Sequence, residues 1–395
     1  MKNNIKRILL FFITIVMISP SVIAQRADDQ RTLSTKIADV LAELPANDTD
    51  HLNSSMNDIA TMGKEGLIEM AKLLSAPGKG DNTKLEYAMG GFSFFAMQEG
   101  KEDLRKMSVD AYCQALRIAG NEENKDFIIR QLQVVGKDDA VTCLQPYLND
   151  DKSCAAAASA LININSSSSQ KILLQALQSS EGSCRLTLVQ ALGDTKNKEA
   201  VAAITPYARN EEGKLRKLAL YALANIADPA SERVLAEAAL EDDYKFDHDN
   251  ATAAYLLYAQ RLQEDGRQKQ AEKISKSLLR KTGRDNQQIH TRTAALKLLT
   301  VINGEKSLKQ LIDAAGDVNP EYRAAALKFA GDYNNSSTTT RWVRKANRSK
   351  PEVEAGIITM LGMNNAEGAI PFILKGLKSK NNEVRIAAIG AVGRM

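Results

Sequence analysis

Ten consecutive residues, Glu241-Asp242-Asp243-Tyr244-Lys245-Phe246-Asp247-His248-Asp249-Asn250, hold five carboxylates and an imidazole. Hard oxygen donors beside one histidine suit a divalent cation, which makes Asp247, His248 and Asp249 the candidate metal ligands. The glycine and closing glutamate of an EF-hand loop are absent from the stretch. A solvated loop that caps the following helix through Asp249 or Asn250 explains the same residues without a metal.

A second cluster is cationic. Arg341, Arg344, Lys345 and Arg348 recur at helical spacing beside Trp342, the chain's only tryptophan. Arg341, Trp342, Arg344 and Lys345 are therefore candidate contacts for a protein partner or an anionic glycan; such a stripe more often means a solvated outer face.

Catalytic motifs are sparse. Ser168 to Lys171 matches S-x-x-K and Lys281-Thr282-Gly283 matches K-T-G, but no S-D-N lies between them and the serine falls in a run of four. Pro77-Gly78-Lys79-Gly80-Asp81 lacks the spacing of a phosphate loop. His51, His248 and His290 are the only histidines and fall in different regions, leaving little material for acid–base catalysis. The sequence assembles no catalytic constellation and implies no cofactor.

Charge narrows the partner class. The formal charge of +4 reflects 52 Lys+Arg against 48 Asp+Glu. Lys2, Lys6 and Arg7 all precede Ala24, and removing them leaves 49 against 48. A near-neutral chain gives no electrostatic case for nucleic acid. Those three cations, an apolar run from Ile8 to Ile18 and a break at Ser19-Pro20 predict a secretory leader over residues 1–24, cut after Ala24. The run is too short to span a bilayer and no later segment is apolar enough, so the expected location of the mature chain is periplasmic or secreted. Export permits disulfides. Cys143 and Cys154 flank a short loop and are the candidate pair, whereas Cys184 reads as a small core residue.

The elements that carry these residues repeat. Leu161, Leu192 and Leu223 are 31 apart, as are Leu299, Ala330, Leu361 and Val392. Seven residues before five of these anchors stand Arg185, Arg216, Arg292, Arg323 and Arg385. Each unit carries two helical apolar patterns, and pairs so short bury their apolar faces only by stacking. Helices are also expected at 32–44, 65–74, 84–97 and 104–119. The resulting division is a leader at 1–24, irregular repeats at 25–120, regular repeats at 121–243, a longer helical pair at 244–288 and regular repeats at 289–395. The last helix still shows a repeat-like apolar pattern, so the array is expected to end without a polar cap.

The stretch Val384-Arg385 through Val392-Gly393 resembles the second helix of a bacterial HEAT repeat, as do Leu215-Arg216 through Ala224 and Tyr322-Arg323 through Gly331. The resemblance implies an all-α, right-handed superhelical solenoid whose second helices line a concave face. It also implies a polar ladder of arginines with acids. The position six before each arginine is Ser179, Asn210, Asn286, Asp317 or Ser379, so the family's aspartate appears once. In one unit Glu354 takes the arginine position and Arg348 lies six before it, which predicts a pair of exchanged sign. The 244–288 segment resembles a tetratricopeptide-like pair. The resemblance implies a non-catalytic scaffold for a protein partner. A second implication comes from secreted Bacteroidetes-type proteins, where such an array precedes a keto-disaccharide hydrolase-like domain; the chain would then be the accessory part of a carbohydrate-active enzyme.

Overall fold

The structure, a computed structural model, describes residues 31–209, 213–283, 285–333 and 335–395. The expected leader and Asn210 lie outside them. The N-terminal helices are α1 (Leu33–Glu43), α2 (Thr49–Lys72), α3 (Thr83–Ala96), α4 (Glu102–Ile118), α5 (Glu122–Val135) and α6 (Val141–Leu144). There follow α7 (Cys154–Ile164), α8 (Ser167–Ser179), α9 (Gly182–Asp194), α10 (Val201–Ala208), α11 (Gly213–Ile226), α12 (Glu232–Glu241), α13 (Ala251–Glu264) and α14 (Gln268–Lys281). The chain continues through α15 (Ile289–Asn303), α16 (Leu308–Ala314), α17 (Pro320–Ala330), α18 (Ser336–Ala346), α19 (Pro351–Met363), α20 (Ile370–Gly376) and α21 (Asn382–Val392). No strand occurs among the described residues.

The helices form two rows. Each odd-numbered helix packs on the next odd-numbered one from α1 to α21, while the even-numbered helices cover one side of that row. The result is an all-α solenoid of stacked hairpins. Residues 244–288 continue it, because α13 lies between α11 and α15 in the odd row and α14 packs on α15.

Local chemistry sets the helix limits. Ser166 and Asn335 form capping boxes with Ser169 and Thr338, and Asn319 receives the N–H groups of Glu321 and Tyr322 ahead of α17. Helix α2 begins well before the expected residue 65, because Asp48 accepts the His51 N–H and starts it early. Met56, Ile59 and Met62 then bury at helical spacing within a polar-looking stretch, and Gly63, at φ 65°, kinks the helix. The Pro- and Gly-rich break at 75–82 is a loop, pinned where Asn82 exchanges hydrogen bonds of 2.8 and 2.9 Å with the Ser75 backbone.

Close approach between rungs requires small residues. A Cβ on Gly193 would lie 2.6 Å from Ala222 Cα, and one on Gly362 would lie 2.7 Å from Ala391 Cα. Core side chains at the anchor positions Leu161, Leu192, Leu223, Leu299 and Leu361 are fully buried. On α21 the faces of Ile386 and Ile389 are exposed, whereas Ile358, one repeat before Ile389, is buried.

All four cysteines are paired, as Cys113–Cys143 and Cys154–Cys184. The expected Cys143–Cys154 bridge is not made, and Cys184, though buried, is a disulfide partner rather than a free core thiol. Cys143 lies in the even row on α6, while Cys154 opens α7 in the odd row. Residues 30 apart sit side by side on successive rungs, so each cysteine meets its counterpart in the same row.

The glycine contacts yield a paired expectation for urea unfolding. Gly362→Ala should lower stability by about 1–3 kcal/mol, since the added methyl meets backbone. Gly390→Ala, on a helical glycine whose nearest neighbour would be Arg394 Nη1 at 3.7 Å, should be neutral or stabilise by up to about 1 kcal/mol. Equal effects of the two substitutions would refute the close-packing argument.

Candidate interaction surface

The repeated arginines act mainly on their own hairpin. Arg185 Nε donates to the Ser180 carbonyl at 2.8 Å, Arg323 Nη1 to the carbonyls of Asp317 and Val318 at 2.9 and 3.0 Å, and Arg385 Nη1 to the Ser379 carbonyl at 2.6 Å. These acceptors lie in the loop just after the preceding even-row helix. A fixed cation there satisfies carbonyls of the turn and, close to the helix C-terminus, interacts favourably with its dipole.

The other two reach the next rung. Arg292 Nη2 pairs with Asp317 Oδ2 at 2.7 Å and stacks on the Tyr322 ring, 4.0 Å from its centroid. Asp317 is the one aspartate at the ladder position, so the acid rung forms where the sequence supplies it. Arg216 meets a glutamate at the same offset, Glu241, which stands 25 residues on as Asp317 does from Arg292, and lies 3.7 Å from Asp249. Arg348 is exposed and makes no ion pair with Glu354, so the exchanged-sign rung is absent. It sits in the turn beyond α18, its backbone N–H bonded to the Lys345 carbonyl. A further arginine escaped the periodic reading. Arg105 on α4 is buried and donates from Nη2 to Asp139 at 2.6 Å and from Nη1 to the Val135 carbonyl at 2.9 Å. Burial pushes the Asp139 carboxyl up, but the hydrogen bonds and charge of Arg105 outweigh it and hold the group below its ordinary value.

The acidic stretch is a structural loop. Asp247, buried, accepts the Ala251 N–H at 2.7 Å and the Thr252 N–H at 3.1 Å, so both its oxygens cap α13. Capping thus falls to Asp247, not to Asp249 or Asn250; Asn250 is in the left-handed region at φ 55° and makes no capping bond. His248 is almost fully exposed, its Nδ1 3.5 Å from Asp249, and Asp249 faces Arg216. The three candidate metal ligands therefore point to different tasks, and no group of three or more metal-binding side chains converges among the described residues. Burial, with repulsion from Asp247, raises the Asp242 carboxyl despite Arg216 nearby.

On α18, Arg341 and Arg344 are exposed as the helical spacing predicts, and Lys345 is partly covered with its amine against Gly316. Trp342 is buried and belongs to the core, so it is not part of an exposed contact stripe. It lies about 100° around the helix from Arg341, on the side shared with Thr338, Thr339 and Ala346. That 338–342–346 spacing was the available signal. The S-x-x-K and K-T-G residues are likewise separate. Ser168 donates to Asp138 at 3.1 Å at the start of α8, whereas Lys281 ends α14 and donates to the Tyr244 hydroxyl at 2.8 Å.

A surface absent from the sequence reading lies on the odd row. Two cavities of about 300 and 470 Å³ open side by side across α11, α13 and α15 and share Ala253 and Leu257. Leu218 and Tyr221 wall the first; Leu256, Leu298 and Val301 wall the second. Val301 is 54% exposed. Each helix of a stacked row keeps one stripe that neither its row neighbours nor the other row covers, and helical periodicity does not say which apolar residues fall on it.

A two-row all-α stack with arginine-braced hairpins defines an α-solenoid, and sequence profiles of HEAT repeats match residues 170–255 and 369–395. Among solved structures, the karyopherin Kap121p bound to the SUMO protease Ulp1p matches at 13% identity over 92% of this chain and 45% of its own, with a TM-score of 0.49. An engineered protein matches at 17% identity over 91% and 98% of the two chains, with a TM-score of 0.33. This chain spans under half the length of the karyopherin, and neither superposition is close enough to support a functional argument. No curated protein matches the sequence.

The role of the acidic loop can be checked directly. Asp247→Ala should lower stability by about 1–2 kcal/mol through the lost cap. The loss should be the same in millimolar calcium and in chelator. Calcium-dependent protection of the unsubstituted chain, abolished by Asp247→Ala, would instead assign the loop to a cation.

Proposed function

We propose that this protein is an exported, non-catalytic scaffold that holds a protein partner along its odd-row face. The observation that carries the reading is the pair of adjoining apolar cavities over α11, α13 and α15. Their walls are helices fixed by stacking, so a partner meets a preformed surface and little ordering cost is incurred on the scaffold side. Exposed apolar groups gathered in one place, rather than scattered singly, mark interaction sites. HEAT arrays present long modular surfaces of this kind.

Export is supported by the leader pattern of residues 1–24 and by two disulfides that join successive rungs, since such bridges persist in oxidising compartments. Among the described residues, no helix is long and apolar enough to cross a membrane. The absence of a catalytic role is supported by the separation of Ser168 from Lys281 and by the structural tasks taken up by the acidic loop.

A photo-crosslinking amino acid at Leu257 should form adducts with a protein partner in the native host, whereas the same group at Arg341 on the even row should form none. Adducts confined to Arg341 would move the partner to the other face. N-terminal sequencing of chain recovered outside the cytoplasm should begin at Gln25; a retained leader or a cytoplasmic chain would reject export.

A further inference from the structure

The charge pattern around the odd-row cavities states what kind of partner they take. Lys217 on α11 lines the first cavity and Lys297 on α15 lines the second, one on each side of α13. Both are exposed, and neither makes an ion pair among the described residues. The remaining polar lining is neutral: Gln190 and Asn250 in the first cavity, Gln260 and Gln263 in the second. Two carboxylates that touch lining side chains are already engaged. Asp194 accepts the Tyr221 hydroxyl at 2.8 Å, and Glu264 accepts from Gln260 at 2.9 Å and Arg261 at 2.6 Å. No Asp or Glu lines either cavity.

We infer that the groove binds an acidic linear segment of a protein, with two apolar side chains in the cavities and carboxylates at Lys217 and Lys297. The inference rests on the odd-row reading proposed above and names the ligand chemistry of that site. Packed helices are about 8–10 Å apart, so α11 and α15 lie roughly 16–20 Å from one another across α13. An extended chain advances about 3.3 Å per residue and covers that span in roughly five or six residues. The fitting segment therefore carries carboxylates about five or six positions apart, with apolar residues between them. The apolar anchors supply the affinity, while the lysines fix orientation and reject cationic sequences.

Selection of a random 12-residue displayed peptide library on the immobilised whole chain tests this, with Ala253→Arg and, separately, Leu257→Asp as counter-selections. Ala253 is exposed and Leu257 partly so, and unchanged thermal melting of each variant verifies its fold. The expected result is enrichment of acidic peptides with two central apolar residues, lost on both variants. The double variant Lys217→Glu/Lys297→Glu should weaken those peptides about tenfold at low salt and instead enrich lysine- or arginine-bearing ones. If the groove-dependent peptides prove neutral or basic, the acidic preference is overturned and the odd-row reading stands. If the enriched peptides bind Ala253→Arg and Leu257→Asp as well as the unsubstituted chain, or if nothing is enriched, the groove is not a peptide site and both readings fall.

Discussion

The arrangement depends on how closely one odd-row helix can approach the next. Gly193 against Ala222 and Gly362 against Ala391 leave no room for a further Cβ, so backbone lies almost on backbone at these crossings. Contact that tight tolerates little sliding, because a shift of one residue would drive a larger side chain into the same gap. Rung spacing and rung register are thereby set together. Features at a constant offset from the crossing then recur in a constant place, including the buried anchors, the arginines and the cysteines.

Polar groups are distributed around that apolar spine according to what each hairpin leaves unsatisfied. Arg185, Arg323 and Arg385 close the turn after their own even-row helix by binding its carbonyls. Such a bond needs no particular side chain in the turn, which explains why serine serves as well as aspartate at the preceding position. The inter-rung bond does need an acid. Asp317 provides it for Arg292, while Glu241 at the end of α12 and Asp249 in the loop before α13 provide it for Arg216. Three carboxylates of the 241–250 stretch thus have structural roles: Asp247 caps α13, and Glu241 and Asp249 face Arg216.

The same stacking creates the groove. Each odd-row helix buries two flanks against its row neighbours and a third side against the even row, leaving one stripe to solvent. Where the stripe residues are small or aliphatic on three successive helices, as with Ala253, Leu257 and Leu298 beside Leu218, the stripes merge into a continuous apolar channel. Two disulfides brace the neighbouring rungs on its N-terminal side, adding covalent links between repeats that otherwise touch only their nearest neighbours.

The 31-residue period, the paired helical patterns and the position of Arg185, Arg216, Arg292, Arg323 and Arg385 were legible in the chain itself, and with them the all-α array. Periodicity reports which residues share one face of one helix. It is silent about which neighbour that face meets, and the functional assignments turned on that. Cys143 finds Cys113, not Cys154 beyond the short loop, because residues 30 apart become adjacent only after stacking. Trp342 enters the core because α18 turns that flank toward its hairpin partner, while Arg341 and Arg344 stay outside. Asp247 became a cap once its backbone placed both oxygens at the start of α13. The groove has no sequence motif at all: its walls come from α9, α11, α13 and α15, spread over residues 182–303, and only their packing brings them side by side.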